Sequence, residues 1–137
     1  MTARALLLIA ILSVMPFALT KGSPPSNVRT EIEYLLNYIE TSGCSFYRNG
    51  SWYEGARARA HLRAKYDYLT ARQLIGTAED FIDKAATKSS ISGKPYKIRC
   101  GDGVEVESGP WLRQSLAQYR ASGQSAEPPT SSRPPRQ

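Results

Sequence analysis

Apolar residues fill positions 5–19 almost without a break, and after them they recur at intervals of three and four, interrupted by one stretch of strict alternation. Val28, Ile32, Leu35, Leu36 and Ile39 predict a helix over 28–41, with Ser26 or Asn27 as its cap, Glu31 and Glu33 in its early turns, and Gly43 as a left-handed stop. Ala58, Leu62, Tyr66 and Leu69 give the core stripe of a second helix over 52–74, which Gly76 ends. Thr77 then caps a third helix. Glu79 and Asp80 lie in its favourable first turn, its buried face is Ala78, Phe81, Ile82 and Ala85, and it ends near Thr87. Tyr96, Ile98 and Cys100 alternate with Lys97 and Arg99 and read as a short strand. Gly101-Asp102-Gly103 turns it, so that Val104 to Val106 pair back. Ser108, Gly109 and Pro110 open a last helix whose inward side is Trp111, Leu112, Ser115, Leu116 and Tyr119.

The segment 44–54 supports two readings. Asn49-Gly50 between aromatic residues is a hairpin signal. Ser51-Trp52-Tyr53-Glu54 is also a capping box. The second is preferred, because alanines and long side chains follow without interruption. The expected fold is therefore mainly α, a small α+β domain of about four helices around one core with a short β-hairpin near 96–106.

The apolar run at 5–19 changes the picture of the whole chain. It follows a short basic head, contains Pro16 and ends in small residues, which is the pattern of a secretory signal peptide over 1–20, cut between 20 and 23. It is short for a membrane span, so no transmembrane span is expected in the mature form. A single globular domain is expected over 25–122. The Pro- and Ser-rich tail at 123–137 lacks apolar periodicity and is expected to be disordered. Two cysteines, Cys44 and Cys100, are expected to pair as a disulfide in an exported protein. With one histidine and no CxxC spacing, no metal or cofactor site is expected. The net charge of +6 admits anionic partners, but the interleaving of basic and aromatic residues that marks a nucleic-acid binder is absent.

Candidate chemistry is sparse. Glu54, Arg57, His61, Lys65, Tyr68 and Arg72 share one side of the second helix. His61 is the candidate general base, although a single histidine beside a core stripe is more often a hydrogen-bonded structural residue. Ser89, Ser90, Ser92, Gly93 and Lys94 form a polar loop able to hold an anion, though not of the GxxxxGK[ST] type. Arg48 and Asn49 sit in the turn before the second helix. Arg48 can bind phosphate or carboxylate, cover an aromatic ring, or pair with Asp102. Glu79, Asp80 and Asp83 read as helix-start acids. A disulfide would bring the 48–50 turn near the loop at 89–96.

Four stretches, Phe46-Tyr47-Arg48-Asn49-Gly50, His61-Leu62-Arg63-Ala64-Lys65, Thr77 to Lys84 and Ser89 to Tyr96, together resemble the YfeK-like family of small exported bacterial proteins, a domain of unknown function. The resemblance spans roughly 46–119. It implies a bacterial, periplasmic protein and carries over no catalytic residues. The expected function is a non-enzymatic envelope binding or interaction module, its surface formed by Arg48, Asn49, His61, Lys65, Ser89, Ser90, Ser92, Lys94 and Tyr96 and its partner an envelope protein or an anionic ligand. The first alternative is a hydrolase or transferase using His61 with a loop serine. The second is a charge-driven binder of anionic polymer.

Overall fold

The computed structural model describes residues 22–123. The signal peptide expected over 1–20 and the tail from 124 onward lie outside the described residues. The elements in chain order are α1 (Ser26–Thr41), β1 (Ser45–Arg48), β2 (Ser51–Tyr53), α2 (Gly55–Thr70), α3 (Ala78–Phe81), which runs on into a π-helical turn at Ile82–Ala86, β3 (Lys97–Arg99), β4 (Val106–Glu107) and α4 (Ser108–Ala121). The mainly α, small α+β class holds.

Helix α1 buries the stripe read from its spacing, Val28, Ile32, Leu35, Leu36 and Ile39. It starts two residues before the expected position, with Pro25 at the cap and no side-chain cap bond. Glu31 is not a solvated first-turn acid. Arg120 on α4 takes its carboxylate with two bonds, Nε to Oε1 at 2.7 Å and Nη2 to Oε2 at 2.8 Å, and also reaches Glu79 at 2.5 Å. This paired, charge-assisted geometry is what allows a carboxylate into the core margin. It ties α1, α3 and α4 together and raises the affinity of the Arg120 guanidinium for its proton.

The 44–54 segment corrects the capping-box reading. Asn49 and Gly50 both take positive φ, 48° and 92°. Two such residues in succession make the two-residue hairpin turn whose twist matches the strands it joins. Ser51 is then paired with Arg48, and Trp52 with Tyr47. The second edge of β1 pairs with β3, Phe46 opposite Ile98, and β3 pairs with β4 through Ile98 and Val106. The result is a four-stranded antiparallel sheet in the order β2-β1-β3-β4. The expected hairpin near 96–106 is therefore one half of a larger sheet. Alternation puts Phe46 and Ile98 on the core face and Tyr47, Trp52, Lys97 and Arg99 on the other.

Helix α2 begins later than the expected position 52 and ends before 74. Its end is not made by Gly76. Gln73 takes φ 58°, and the Leu74 N–H bonds back to the Leu69 carbonyl at 3.0 Å, which closes the last turn in the manner of a left-handed cap. The Thr77 cap of α3 is as expected. Its hydroxyl accepts from Asp80 N–H and the Asp80 carboxylate accepts from Thr77 N–H. Phe81, Ile82 and Ala85 are buried with Ile98 and Leu112 in one core.

Cys44 and Cys100 are joined by a disulfide across a separation of 56 residues. They lie one position beyond the paired residues Ser45 and Arg99, so the bond closes the open end of the β1–β3 ladder. Among the described residues no helix is long and apolar enough to cross a membrane.

Candidate anion site at the junction of sheet, helix and loop

The hairpin geometry determines where Arg48 points. Strand alternation puts Arg48 on the same face as Phe46, toward α2. There its guanidinium Nη1 donates to His61 Nδ1 at 2.8 Å. The Tyr53 ring has Arg48 at 5.0 Å from its centroid and Arg57 at 5.1 Å. Of the roles open to Arg48, the aromatic one is thus seen. Among the described residues it has no ion pair with Asp102.

His61 Nε2 lies 3.0 Å from Tyr96 Oη. A neutral imidazole has one acceptor nitrogen and one donor. Since Nδ1 accepts from Arg48, Nε2 carries the hydrogen and donates to Tyr96. Lys65, one turn further along α2, donates to the Lys88 carbonyl at 2.9 Å and approaches Tyr96 Oη at 3.4 Å. Tyr96 Oη therefore receives hydrogen bonds from two directions, and its own hydrogen remains available to a third group. Arg48, Lys65 and Tyr96 form an array of donors held together by His61, whose one N–H is given to Tyr96.

The electrostatics agree with that reading. His61 is held down at about 4, first because burial strips water from the imidazolium and then because Arg48 and Lys65 stand beside it. Lys65 is pushed down to about 8, by burial and then by Arg48. Burial raises the Tyr96 phenol, and Arg48 opposes that rise. Among the described residues no carboxylate lies within ion-pairing distance of Arg48 or Lys65. His61 has neither a carboxylate to orient it nor a serine hydroxyl within hydrogen-bonding distance among the described residues, and Glu54 serves as the α2 N-cap position instead.

The remaining expected site residues go elsewhere. Asn49 donates to Ser89 Oγ at 3.1 Å and accepts from Ser92 Oγ at 2.7 Å. Ser89 Oγ also accepts from the N–H groups of Ile91 and Ser92, each at 3.3 Å. These groups lock the hairpin turn to the loop, as the expected proximity of the two segments implies. Their hydrogen-bonding capacity is largely taken up in doing so. Ser90 lines an open groove of about 260 Å³ with His61, Lys65, Tyr68, Leu69 and Lys84. Lys94 is exposed on the loop. Two contributors to the site lie outside the binding surface expected from the sequence: Tyr53, which was not singled out, and Arg57, which was grouped only with the candidate chemistry of the second helix. Arg57 could have been included, since it stands one helical turn before His61.

The depressed His61 makes stability sensitive to pH. Above pH 6.5 the imidazole is neutral in both folded and unfolded chains and contributes no slope. Between about 6.5 and about 4 the unfolded chain takes up a proton that the folded chain, surrounded by Arg48 and Lys65, refuses, so stability falls across that window. His61→Gln is expected to lose this component. Melting temperatures of the two proteins between pH 7 and pH 4.5 check it, and parallel curves would refute it.

A model of the DUF5329 family, a family of unknown function, matches residues 26–120. The chain is 44% identical over 66 residues to the uncharacterized protein YfeK of Salmonella typhimurium, an overlap that covers 47% of this chain and 53% of that protein. The chain thus spans about half the length of the curated relative it matches. This agrees with the YfeK-like resemblance seen in the sequence. No solved structure matches the chain.

Proposed function

The chain belongs to the DUF5329 family of unknown function, and from that premise we propose that it is a non-enzymatic binding module of the bacterial envelope that takes a small anion between Arg48, His61, Lys65 and Tyr96. One observation carries the reading: two half-buried cations converge on a neutral histidine and a tyrosine, with no carboxylate partner among the described residues. A charge withdrawn from water without a counterion is costly. A bound anion removes that cost. Residues Asn49, Ser89 and Ser92 serve as the brace that holds the loop beside the site. The envelope address is supported by the signal-peptide pattern at 1–20 and by the disulfide, a bond that persists in oxidising compartments.

The test is an NMR titration of the oxidised protein with inorganic phosphate and acetate at low ionic strength. Saturable shifts are expected at His61 and Lys65. Arg48→Ala should weaken binding about ten- to a hundredfold, the range for losing a hydrogen bond to a charged group. Affinity should also fall as pH rises through about 8, because Lys65 loses its charge there and an anion favours the charged form. Equal affinity in Arg48→Ala, or no saturable shift at these side chains, would refute the reading.

A further inference from the structure

We propose that the anion is a short-chain carboxylate, whose carboxyl group is held at Arg48 within the donor array, with Arg57 beside it, and whose alkyl end enters an apolar cavity between the sheet and α2. The inference rests on the anion reading above and adds the chemistry of the rest of the ligand.

A cavity of about 40 Å³ opens beside Arg48, His61 and Tyr96. Its inner wall is Ile39, Phe46, Leu62, Ile98 and Leu112, all buried, with the buried Ser108, whose hydroxyl donates to the Ala86 carbonyl. Its mouth is formed by Arg48, Tyr53, Arg57, His61 and Tyr96. The two guanidinium groups lie 5.0 and 5.1 Å from the Tyr53 ring centroid, and among the described residues Arg57, like Arg48, has no carboxylate partner. Charge and apolar space therefore sit end to end, cations outside and hydrocarbon within.

Each property narrows the ligand. A lone inorganic anion would use the donors and leave the cavity unfilled. Water is a poor occupant of the inner space, since an ordered water needs two to four polar partners and the inner wall is hydrocarbon apart from Ser108, whose hydroxyl hydrogen is already given to Ala86. A carboxylate directs its alkyl substituent away from its two oxygens, so a head held at the mouth sends its tail inward. A phosphate ester would place a further polar oxygen at the apolar threshold. The volume sets the length: a water needs ~10–15 Å³ of such space, so a cavity of about 40 Å³ holds about three groups of that size. One to three carbons fit, and a long acyl chain does not.

The experiment is an affinity series for formate, acetate, propionate, butyrate, hexanoate and octanoate, with inorganic phosphate beside them, read by NMR titration of the oxidised protein. Affinity is expected to rise about fourfold per methylene from acetate to butyrate and to stop or fall at hexanoate. Ala58, half-buried in the cavity wall, is the place to shorten the cavity. Ala58→Leu, or Ala58→Val if the first unfolds, should bring the end of the rise back toward acetate. Equal affinity for all the carboxylates would overturn the tail inference and leave the anion reading standing, as would binding of phosphate with no binding of carboxylates. A rise that continues through octanoate would overturn it as well, since that describes adsorption to a surface. Binding of none of them would overturn both readings.

Discussion

Gly55→Ala is expected to lower stability by about 3 kcal/mol, although alanine is the better helix former by about 1 kcal/mol. Gly55 is the first residue of α2, and there the helix crosses the end of α1. A Cβ built on it would stand 2.5 Å from the Ile39 carbonyl oxygen and 2.7 Å from that of Glu40. Both are backbone atoms, so no side chain can swing aside, and the two helices must separate. Separation opens the layer in which Leu36 and Ile39 meet Leu62 and Tyr66. In a domain of this size the loss corresponds to a fall in melting temperature of about 15 °C. Gly76→Ala is the control: its nearest atom is Asp80 Oδ2 at 3.5 Å, an ordinary contact, and its change should stay below about 1 kcal/mol. Thermal melts of both variants decide the matter. A Gly55→Ala protein as stable as the parent would mean that the crossing has slack. Because α2 also carries His61 and Lys65, the variant should bind anions more weakly at temperatures where it remains folded.

Removing the Cys44–Cys100 bond is expected to cost about 4 kcal/mol in the chain-entropy account, the value for a loop of 56 residues. The corresponding fall in melting temperature is about 20 °C. The bond closes the end of the β1–β3 ladder, next to the pair Ser45 and Arg99. That ladder is short, and it alone joins the two hairpins into one sheet. Its register also sets Arg48 on β1 beside Tyr96, which immediately precedes β3. Reduction should therefore loosen the site together with the fold. Melting curves with and without reductant, and of the double variant Cys44→Ser/Cys100→Ser, test this. A fall of less than about 5 °C in both would show that strand pairing holds the junction unaided.

The sheet is the instructive case for what could be read in advance. Asn49-Gly50 offered a turn, and Ser51 to Glu54 offered a helix start, with residues of good helix propensity following. Local preference was nearly balanced across 51–54. The decision came from β3, which is almost fifty residues away and pairs with the other edge of β1. A strand with partners on both sides satisfies its backbone groups in a way that an isolated hairpin cannot. The end of α2 was missed for a related reason. Gln73 adopts a conformation that residues other than glycine rarely take, so a search for glycine went past it to Gly76. Glu31 was read as a favourable helix-start acid because its partner, Arg120, is on α4 at the far end of the domain.

Within the candidate site, residue types were legible and roles were not. Arg48, His61, Lys65 and the 89–96 loop could be grouped from helix spacing and from the expected cysteine pairing. That Asn49, Ser89 and Ser92 bond to one another, while Arg48, Lys65 and Tyr96 converge as donors around His61, depends on which way each side chain turns on a sheet whose second half was not foreseen. The apolar cavity behind them is drawn from α1, α2, α4 and both hairpins, and no sequence spacing marks such a space.

Local sequence was enough for the buried stripes of α1, α3 and α4, the Thr77 cap and the cysteine pairing. Each of these rests on periodicity, on a bond within one turn of chain, or on the count of two thiols. Tertiary structure was needed for the hairpin at 45–53, for the burial of Glu31 against Arg120, and for Arg48 and Arg57 facing an apolar cavity with no carboxylate beside them among the described residues. Those outcomes depend on pairings between segments that local propensity does not connect, where the gain from satisfied backbone groups and excluded water exceeds the small differences among local conformations.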